Sequence, residues 1–204
     1  MNTMDAIKNM KIVPVVVINK IEDTEPVLSA LRDGGLPIAE ITFRTECAAR
    51  AIELACEKFP DMLIGAGTVI NAKQVREAVA CGAKFIVGPG FSQKVAAECK
   101  KLSVPYLPGC VSPTDIIAAI DEDISIVKFF PASDFGGLKT IKALSAAFPS
   151  VKFLPTGGID ESNILEYLAH PSIVACGGSF MMKGTPDEIR EKTRKAVELV
   201  AAKA

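Results

Sequence analysis

The chain of 204 residues has no tryptophan, two tyrosines and a single histidine, His170. One isolated imidazole excludes a histidine-rich zinc or iron centre. His170 lies in Leu168-Ala169-His170-Pro171, which reads as a helix end, where a solvated or capping role fits better than catalysis. Cys47, Cys56, Cys81, Cys99, Cys110 and Cys176 form no C-x-x-C pair and show no metal-ligand spacing. They read as reduced thiols of a cytoplasmic protein. Long apolar runs are also missing: 49% of residues are hydrophobic, yet no stretch approaches the roughly 18 residues of a membrane span. The opening residues carry charges without the apolar stretch and cleavage site of a signal peptide. Neither sign of charge dominates. Twenty-three Lys and Arg oppose 24 Asp and Glu, for a net charge of −1. Their interleaving leaves no broad attraction to nucleic acid or membrane. Chemistry here must use lysine, carboxylate, arginine or hydroxyl groups.

What is present is a repeat. Apolar runs recur at 12–18, 38–43, 62–66, 85–87, 105–107, 124–130, 151–154 and 173–175. Between them lie segments with helical spacing and start signals. Asp23-Thr24-Glu25-Pro26, Asn71, Ser92, Ser112-Pro113-Thr114-Asp115, Asp160-Glu161-Ser162 and Thr185-Pro186-Asp187-Glu188 each open one. Gly34-Gly35 and Gly82 mark stops, following the preferences for N-cap oxygens, first-turn proline and C-terminal glycine. The sum is eight strand-plus-helix units of roughly 25 residues, as expected for βα repeats with short loops. Runs apolar on both faces indicate a parallel sheet covered by helices. The fold class expected is α/β, a single (β/α)8 TIM barrel spanning 1–204 with a short N-terminal helix over about 4–11. A chain this long buries roughly 70% of its unfolded surface and needs no disulfide or metal staple. An open sheet is the less favoured alternative.

Two strands carry polar groups where a buried sheet should be apolar. Alternation along Ile38-Ala39-Glu40-Ile41-Thr42-Phe43-Arg44 puts Glu40, Thr42 and Arg44 on one face and the apolar residues on the other. Barrels carry their active sites at the C-terminal strand ends, so three functional groups stacked towards that end suggest a site. A buried ion pair or a polar edge stripe would account for Glu40 alone. Ser125-Ile126-Val127-Lys128-Phe129-Phe130 holds a lysine inside an apolar run, where a charged group is costly to bury. Lysines in apolar pockets serve as amine nucleophiles towards carbonyls. A structural pairing of Lys128 with an acid such as Glu40 explains that lysine equally well.

The last two strand ends are rich in glycine: Thr156-Gly157-Gly158 and Gly177-Gly178-Ser179. Barrels often hold phosphate after strands seven and eight, where glycine lets backbone N–H groups approach an anion and a helix N-terminus adds field. Thr156 and Ser179 could donate hydroxyl hydrogen bonds. One such pair would be a plain turn; two in these positions favour phosphate. Gly65-Ala66-Gly67-Thr68, Gly88-Pro89-Gly90 and Pro108-Gly109-Cys110 could all be plain turns, with Thr68 the one hydroxyl facing the same mouth.

Together these residues resemble the class I 2-keto-3-deoxy-6-phosphogluconate (KDPG) aldolases, which overlap with the 4-hydroxy-2-oxoglutarate (KHG) aldolases. The similarity rests on Glu40-Ile41-Thr42-Phe43-Arg44-Thr45-Glu46, Gly65-Ala66-Gly67-Thr68-Val69, Gly88-Pro89-Gly90, Lys128-Phe129-Phe130-Pro131-Ala132, Pro155-Thr156-Gly157-Gly158 and Gly177-Gly178-Ser179. It covers nearly the whole chain. The resemblance implies that Lys128 is the Schiff-base lysine and Glu40 the acid/base carboxylate. Arg44 and Thr68 correspond to groups holding the substrate carboxylate, while Pro89 and Phe130 shape the pocket. Thr156, Gly157, Gly158 and Ser179 fall at the distal-hydroxyl and phosphate end, with Gly177 and Gly178 beside them. The resemblance also implies a homotrimer, a 2-keto acid and a phosphorylated aldehyde as partners, and no metal or organic cofactor. The Arg44-Thr45-Glu46 tag favours this branch over the related phosphogalactonate aldolases. Ser133-Asp134-Phe135 departs from relatives that carry a Glu there, which bears on substrate preference. Two rivals differ in class. A phosphate-binding barrel isomerase, epimerase or synthase would not need Lys128, and a non-catalytic sugar-acid phosphate binder would release no aldehyde.

Overall fold

Strands and helices alternate from end to end, as the repeat predicts. Helix α1 (Thr3–Met10) leads into β1 (Ile12–Val16), α2 (Thr24–Asp33), β2 (Ile38–Thr42), α3 (Ala48–Lys58), β3 (Leu63–Gly67) and α4 (Ala72–Ala80). Then come β4 (Ile86–Val87), α5 (Gln93–Lys101), β5 (Tyr106–Leu107), α6 (Pro113–Asp121) and β6 (Ile126–Phe129). The chain finishes with α7 (Gly137–Ala147), β7 (Lys152–Pro155), α8 (Ile164–Leu168), β8 (Cys176–Gly178) and α9 (Pro186–Ala201). This computed structural model describes residues 2–202, so the extreme ends of the expected 1–204 span lie outside the described residues.

All ladder pairings are parallel. Six strands form one sheet in the order β5-β4-β3-β2-β1-β8, a half-barrel, and β6 pairs with β7. Isolated bridges lie between the two sheets on both sides. Gly109 bridges Lys128 on one side; Phe153 bridges Ile173 and Thr156 bridges Gly177 on the other. At the first seam Lys128 N–H donates to the Pro108 carbonyl and Cys110 N–H to the Lys128 carbonyl, each at 2.8 Å. Strands β1, β2 and β6 are buried along their whole length, as a sheet covered by helices requires.

The helix starts follow the capping residues where these have an oxygen to offer. Asn71, Ser92, Ser112 and Thr185 each accept a first-turn N–H, and Ser112/Asp115 and Thr185/Glu188 complete reciprocal capping boxes. Burial works against ionisation of Asp115, but N–H groups of Ser112 and Val111 outweigh it and hold the carboxyl below its ordinary range. Two expected starts differ. Asp23 makes no capping bond, and a 3-10 turn over Ile21–Asp23 leads into α2 instead. The Asp160 side chain bonds Ser162, and α8 begins only at Ile164.

Strand eight also departs from expectation. The apolar run 173–175 is buried at Ile173 and Ala175, but the ladder runs through Cys176, Gly177 and Gly178, which pair with Ile12, Val13 and Pro14. Glycines paired by register carry no hydrophobic signal, so the neighbouring apolar run drew the assignment. Helices α3 and α7 follow Cys47 and Gly136, neither of which makes a side-chain cap bond. Their starts have no capping signature.

All six cysteines are free. Burial pushes the Cys99, Cys110 and Cys176 thiols up to about 12, which makes them inert packing residues rather than nucleophiles. His170 follows α8, and its Nδ1 accepts from the Ser172 N–H at 3.3 Å, in keeping with a local structural role. Among the described residues no helix is long and apolar enough to cross a membrane.

Candidate active site

Parallel register decides which side chains meet. Val15 pairs with Glu40, Glu40 with Gly65 and Thr42 with Gly67, so Glu40 and Thr42 share a face with Val15 and the two β3 glycines. On β6 the pleat gives Lys128 the face opposite to Val127 and Phe129. Lys128 Nζ reaches Glu40 at 3.1 Å (Oε1) and 3.4 Å (Oε2). The two residues are only 3% and 1% exposed. Among the described residues every other ion pair has at least one substantially exposed partner. Surface pairs contribute little to stability, whereas breaking a buried pair by removing one partner costs about 3–5 kcal/mol. Lys128 Nζ also lies 5.3 Å from the centre of the Phe130 ring, within cation–π range.

The carboxylate of Glu40 is seated by a glycine that the sequence offers only as turn punctuation. A Cβ at Gly67 would stand 2.2 Å from Glu40 Oε1 and 2.6 Å from its Cγ. Any side chain there would push the carboxylate off Lys128. Gly67 is thus part of the site through the space it leaves.

Across the mouth, Arg44 Nε donates to Thr68 Oγ1 at 2.9 Å. This contact engages only the inner nitrogen. Arg44 forms no ion pair among the described residues, so the outer edge of the guanidinium fork is available to a planar carboxylate. Thr68 has φ 55°, a left-handed conformation that a β-branched residue adopts at a cost of about 1–3 kcal/mol. Thr68→Gly is expected to relieve that strain and leave stability unchanged or raised by up to about 1 kcal/mol, since glycine also loosens the unfolded chain. The same change deletes the oxygen that receives Arg44, so half-saturation by a keto acid should rise several-fold. Denaturant unfolding and substrate titration check the two parts. A destabilised variant with unaltered half-saturation would contradict the role given to Thr68.

A cavity of about 140 Å³ is lined by Val15, Arg44, Phe130, Thr156, Gly157, Gly158, Ile159, Gly178 and Ser179. It gathers seven of the residues singled out from the sequence, and adds Val15 and Ile159, whose apolar identity gave no functional signal. Gly157 and Gly158 have φ 96° and 73°, a turn that only glycine adopts freely. Thr156 Oγ1 is buried without a partner, an orphaned hydroxyl at the cavity wall. Gly177 is set behind it: a Cβ there would stand 2.2 Å from that oxygen. Pro89 is exposed at the end of β4, and its carbonyl abuts Gly109. It is absent from the cavity lining. The helix N-terminus expected beside the glycines is missing as well. Helix α8 starts at Ile164 and a 3-10 turn over Phe180–Met182 follows Ser179, so any anion there meets turn N–H groups. Among the described residues no cluster of metal-ligating side chains occurs. A larger hollow of about 310 Å³, lined by Tyr106, Lys100 and Ile126 among others, lies away from Lys128 and Glu40.

A buried amine against a carboxylate, at the mouth of a parallel sheet wrapped by helices, defines an α/β protein equipped for carbonyl–amine chemistry. The pattern of the KDPG and KHG aldolase family matches residues 3–198, and the chain belongs to that family. A 2-dehydro-3-deoxy-phosphogluconate aldolase of Treponema pallidum is 44% identical over 178 residues, covering 87% of this chain and 85% of that one. The crystal structure of 2-keto-3-deoxy-6-phosphogluconate aldolase from Zymomonas mobilis superposes with a TM-score of 0.93 at 34% identity, covering 98% of each chain. The Legionella pneumophila KDPG aldolase, with pyruvate captured as a covalent carbinolamine intermediate, gives 0.89 at 37% identity over 99% of this chain and 98% of that one.

Proposed function

We propose that this protein is a class I aldolase that cleaves KDPG to pyruvate and glyceraldehyde 3-phosphate, and KHG to pyruvate and glyoxylate. The observation that carries this reading is the buried Lys128–Glu40 pair at 3.1 Å, in a family one of whose members holds pyruvate as a carbinolamine. An ion pair serving stability alone would not account for the cavity that shares Phe130 with it, with its orphaned hydroxyl and glycine turn.

In the reaction, Lys128 passes a proton to Glu40 and its amine attacks C2 of the keto acid. Glu40 returns that proton to the C2 hydroxyl, water leaves, and an iminium remains whose positive nitrogen acts as the electron sink. The Glu40 carboxylate then takes the C4 hydroxyl proton, directly or through a water, and the C3–C4 bond breaks. The aldehyde departs. Glu40 protonates the enamine at C3, and hydrolysis frees pyruvate and regenerates the amine. The lysine supplies the electron sink itself, so the cycle as written needs neither metal nor organic cofactor. Arg44 forks onto the C1 carboxylate with Thr68 steadying its Nε, and the Phe130 ring walls the pocket. Thr156 serves the distal hydroxyl. Gly157, Gly158, Gly178 and Ser179 receive the phosphate, and Gly177 leaves room for Thr156.

Several structural expectations belong to the same reading. The two sheets form one closed eight-stranded barrel, supported by the bridges at Gly109–Lys128 and Thr156–Gly177. The chain is a single domain, supported by one buried apolar cluster running from Ile7 to Ala196. A homotrimer in the cytoplasm follows from the family resemblance and the free thiols. Borohydride reduction with pyruvate, read by intact mass, tests the chemistry. A pyruvate-sized adduct is expected together with aldehyde release from KDPG, and an unmodified protein would overturn the reading.

A further inference from the structure

The proposed substrate clamp depends on where Arg44 is held, and Arg44 lies just beyond the end of β2 on an exposed turn. Phe43 N–H donates to the Gly67 carbonyl at 2.7 Å and Arg44 N–H to the Thr42 carbonyl at 2.8 Å, and a pair of side chains that follow tie the turn to the other neighbour. Thr45 Oγ1 donates to the Ile18 carbonyl at 2.7 Å, and Cys47 Sγ donates to the same oxygen at 3.1 Å. One residue before Phe43, Thr42 Oγ1 donates to the Val16 carbonyl at 3.1 Å. Ile18 and Val16 belong to β1 and the segment just after it, so both flanks of Arg44 are tied to the neighbouring strand. The ladder itself stops short of this point, since the last β1–β2 register pair is Val16 with Ile41. On the β1 side, side chains take over where the backbone pairing ends.

We infer that Thr45 is a positioning residue for carboxylate recognition: its hydroxyl, bonded to the Ile18 carbonyl, holds the turn that sets the Arg44 fork against Thr68. This rests on the proposed role of Arg44 and extends it to a residue that touches no substrate. The geometry is directional. A turn freed from Ile18 can still leave Arg44 charged and near the mouth, but no longer fixes the angle of a planar fork, and bidentate recognition depends on that angle. Thr45 and Cys47 share one acceptor, with Thr45 making the shorter bond, so the hydroxyl is the principal tie and the thiol a weaker second.

The test compares Thr45→Val, which keeps the shape and deletes the donor, with Thr45→Ser, which keeps the donor. The readout is the pyruvate concentration that half-saturates borohydride trapping, together with KM and kcat for KDPG. Thr45→Val is expected to raise both half-saturation and KM by about tenfold, within the loss a small misplacement causes, while kcat changes far less. Thr45→Ser should restore the wild-type values. On an Arg44→Ala background Thr45→Val should add little further effect, because both changes remove the same interaction. Unchanged half-saturation in Thr45→Val, additive loss on the Arg44→Ala background, or a fall in kcat at constant KM would each overturn the inference. Absence of trapping in the wild-type protein would instead overturn the aldolase reading, so the two failures are distinguishable.

Discussion

Lys128→Met is expected to abolish borohydride trapping of pyruvate and to lower aldol cleavage by roughly four orders of magnitude or more, as removal of a covalent nucleophile does elsewhere. The amine is the only group in the proposed cycle that bonds covalently to substrate, and no lysine among the residues lining the neighbouring cavity could replace it. Methionine preserves the length of the side chain and its apolar packing, so the loss is chemical. The same change also strands the Glu40 carboxylate, which is buried and, among the described residues, accepts hydrogen bonds from Lys128 Nζ alone. A stability loss of about 3–5 kcal/mol should accompany the inactivation. Adding Glu40→Gln should recover much of the stability while leaving activity absent. Mass spectrometry after reduction and denaturant unfolding separate the two effects. A Lys128→Met protein that still forms a pyruvate adduct would remove Lys128 from the mechanism.

Glu40→Gln is expected to behave differently. Glutamine can still accept a hydrogen bond from the amine, so imine formation should continue at a reduced rate. It cannot carry a proton between C4 oxygen and C3, and kcat should fall by about 10²- to 10⁴-fold, the range that general acid–base groups contribute. The expected signature is therefore an adduct that still accumulates while cleavage nearly stops. Equal loss of trapping and turnover would show that the carboxylate serves chiefly to organise the lysine.

The sequence exposes the chemistry better than it exposes the space around it. Glu40 and Lys128 stand out because each interrupts a buried apolar run, and the structure joins them. The Gly157-Gly158 turn is legible for a similar reason: its two positive φ values demand the residues that are seen. Gly67 is not legible. Its importance lies in a carboxylate on the neighbouring strand, 27 positions away along the chain, and nothing local distinguishes it from a turn glycine. Thr45 is hidden in the same way, since its partner is a main-chain oxygen on β1. Among the elements, α3 and α7 start without capping side chains, and β8 is made partly of glycine. Each depends on tertiary pairing, which overrides local pattern.

Lys128 and Glu40 are 88 positions apart, and the lysine's own backbone bonds lie at the seam beside Gly109. Contacts of such long separation form only after the intervening chain has been gathered. A partly synthesised or partly unfolded chain therefore holds an ordinary lysine, with no carboxylate beside it and no pocket around it. In the proposed reading the amine gains its partner only once chain segments 88 positions apart have met, so the capacity to capture a keto acid belongs to the folded protein and not to its parts.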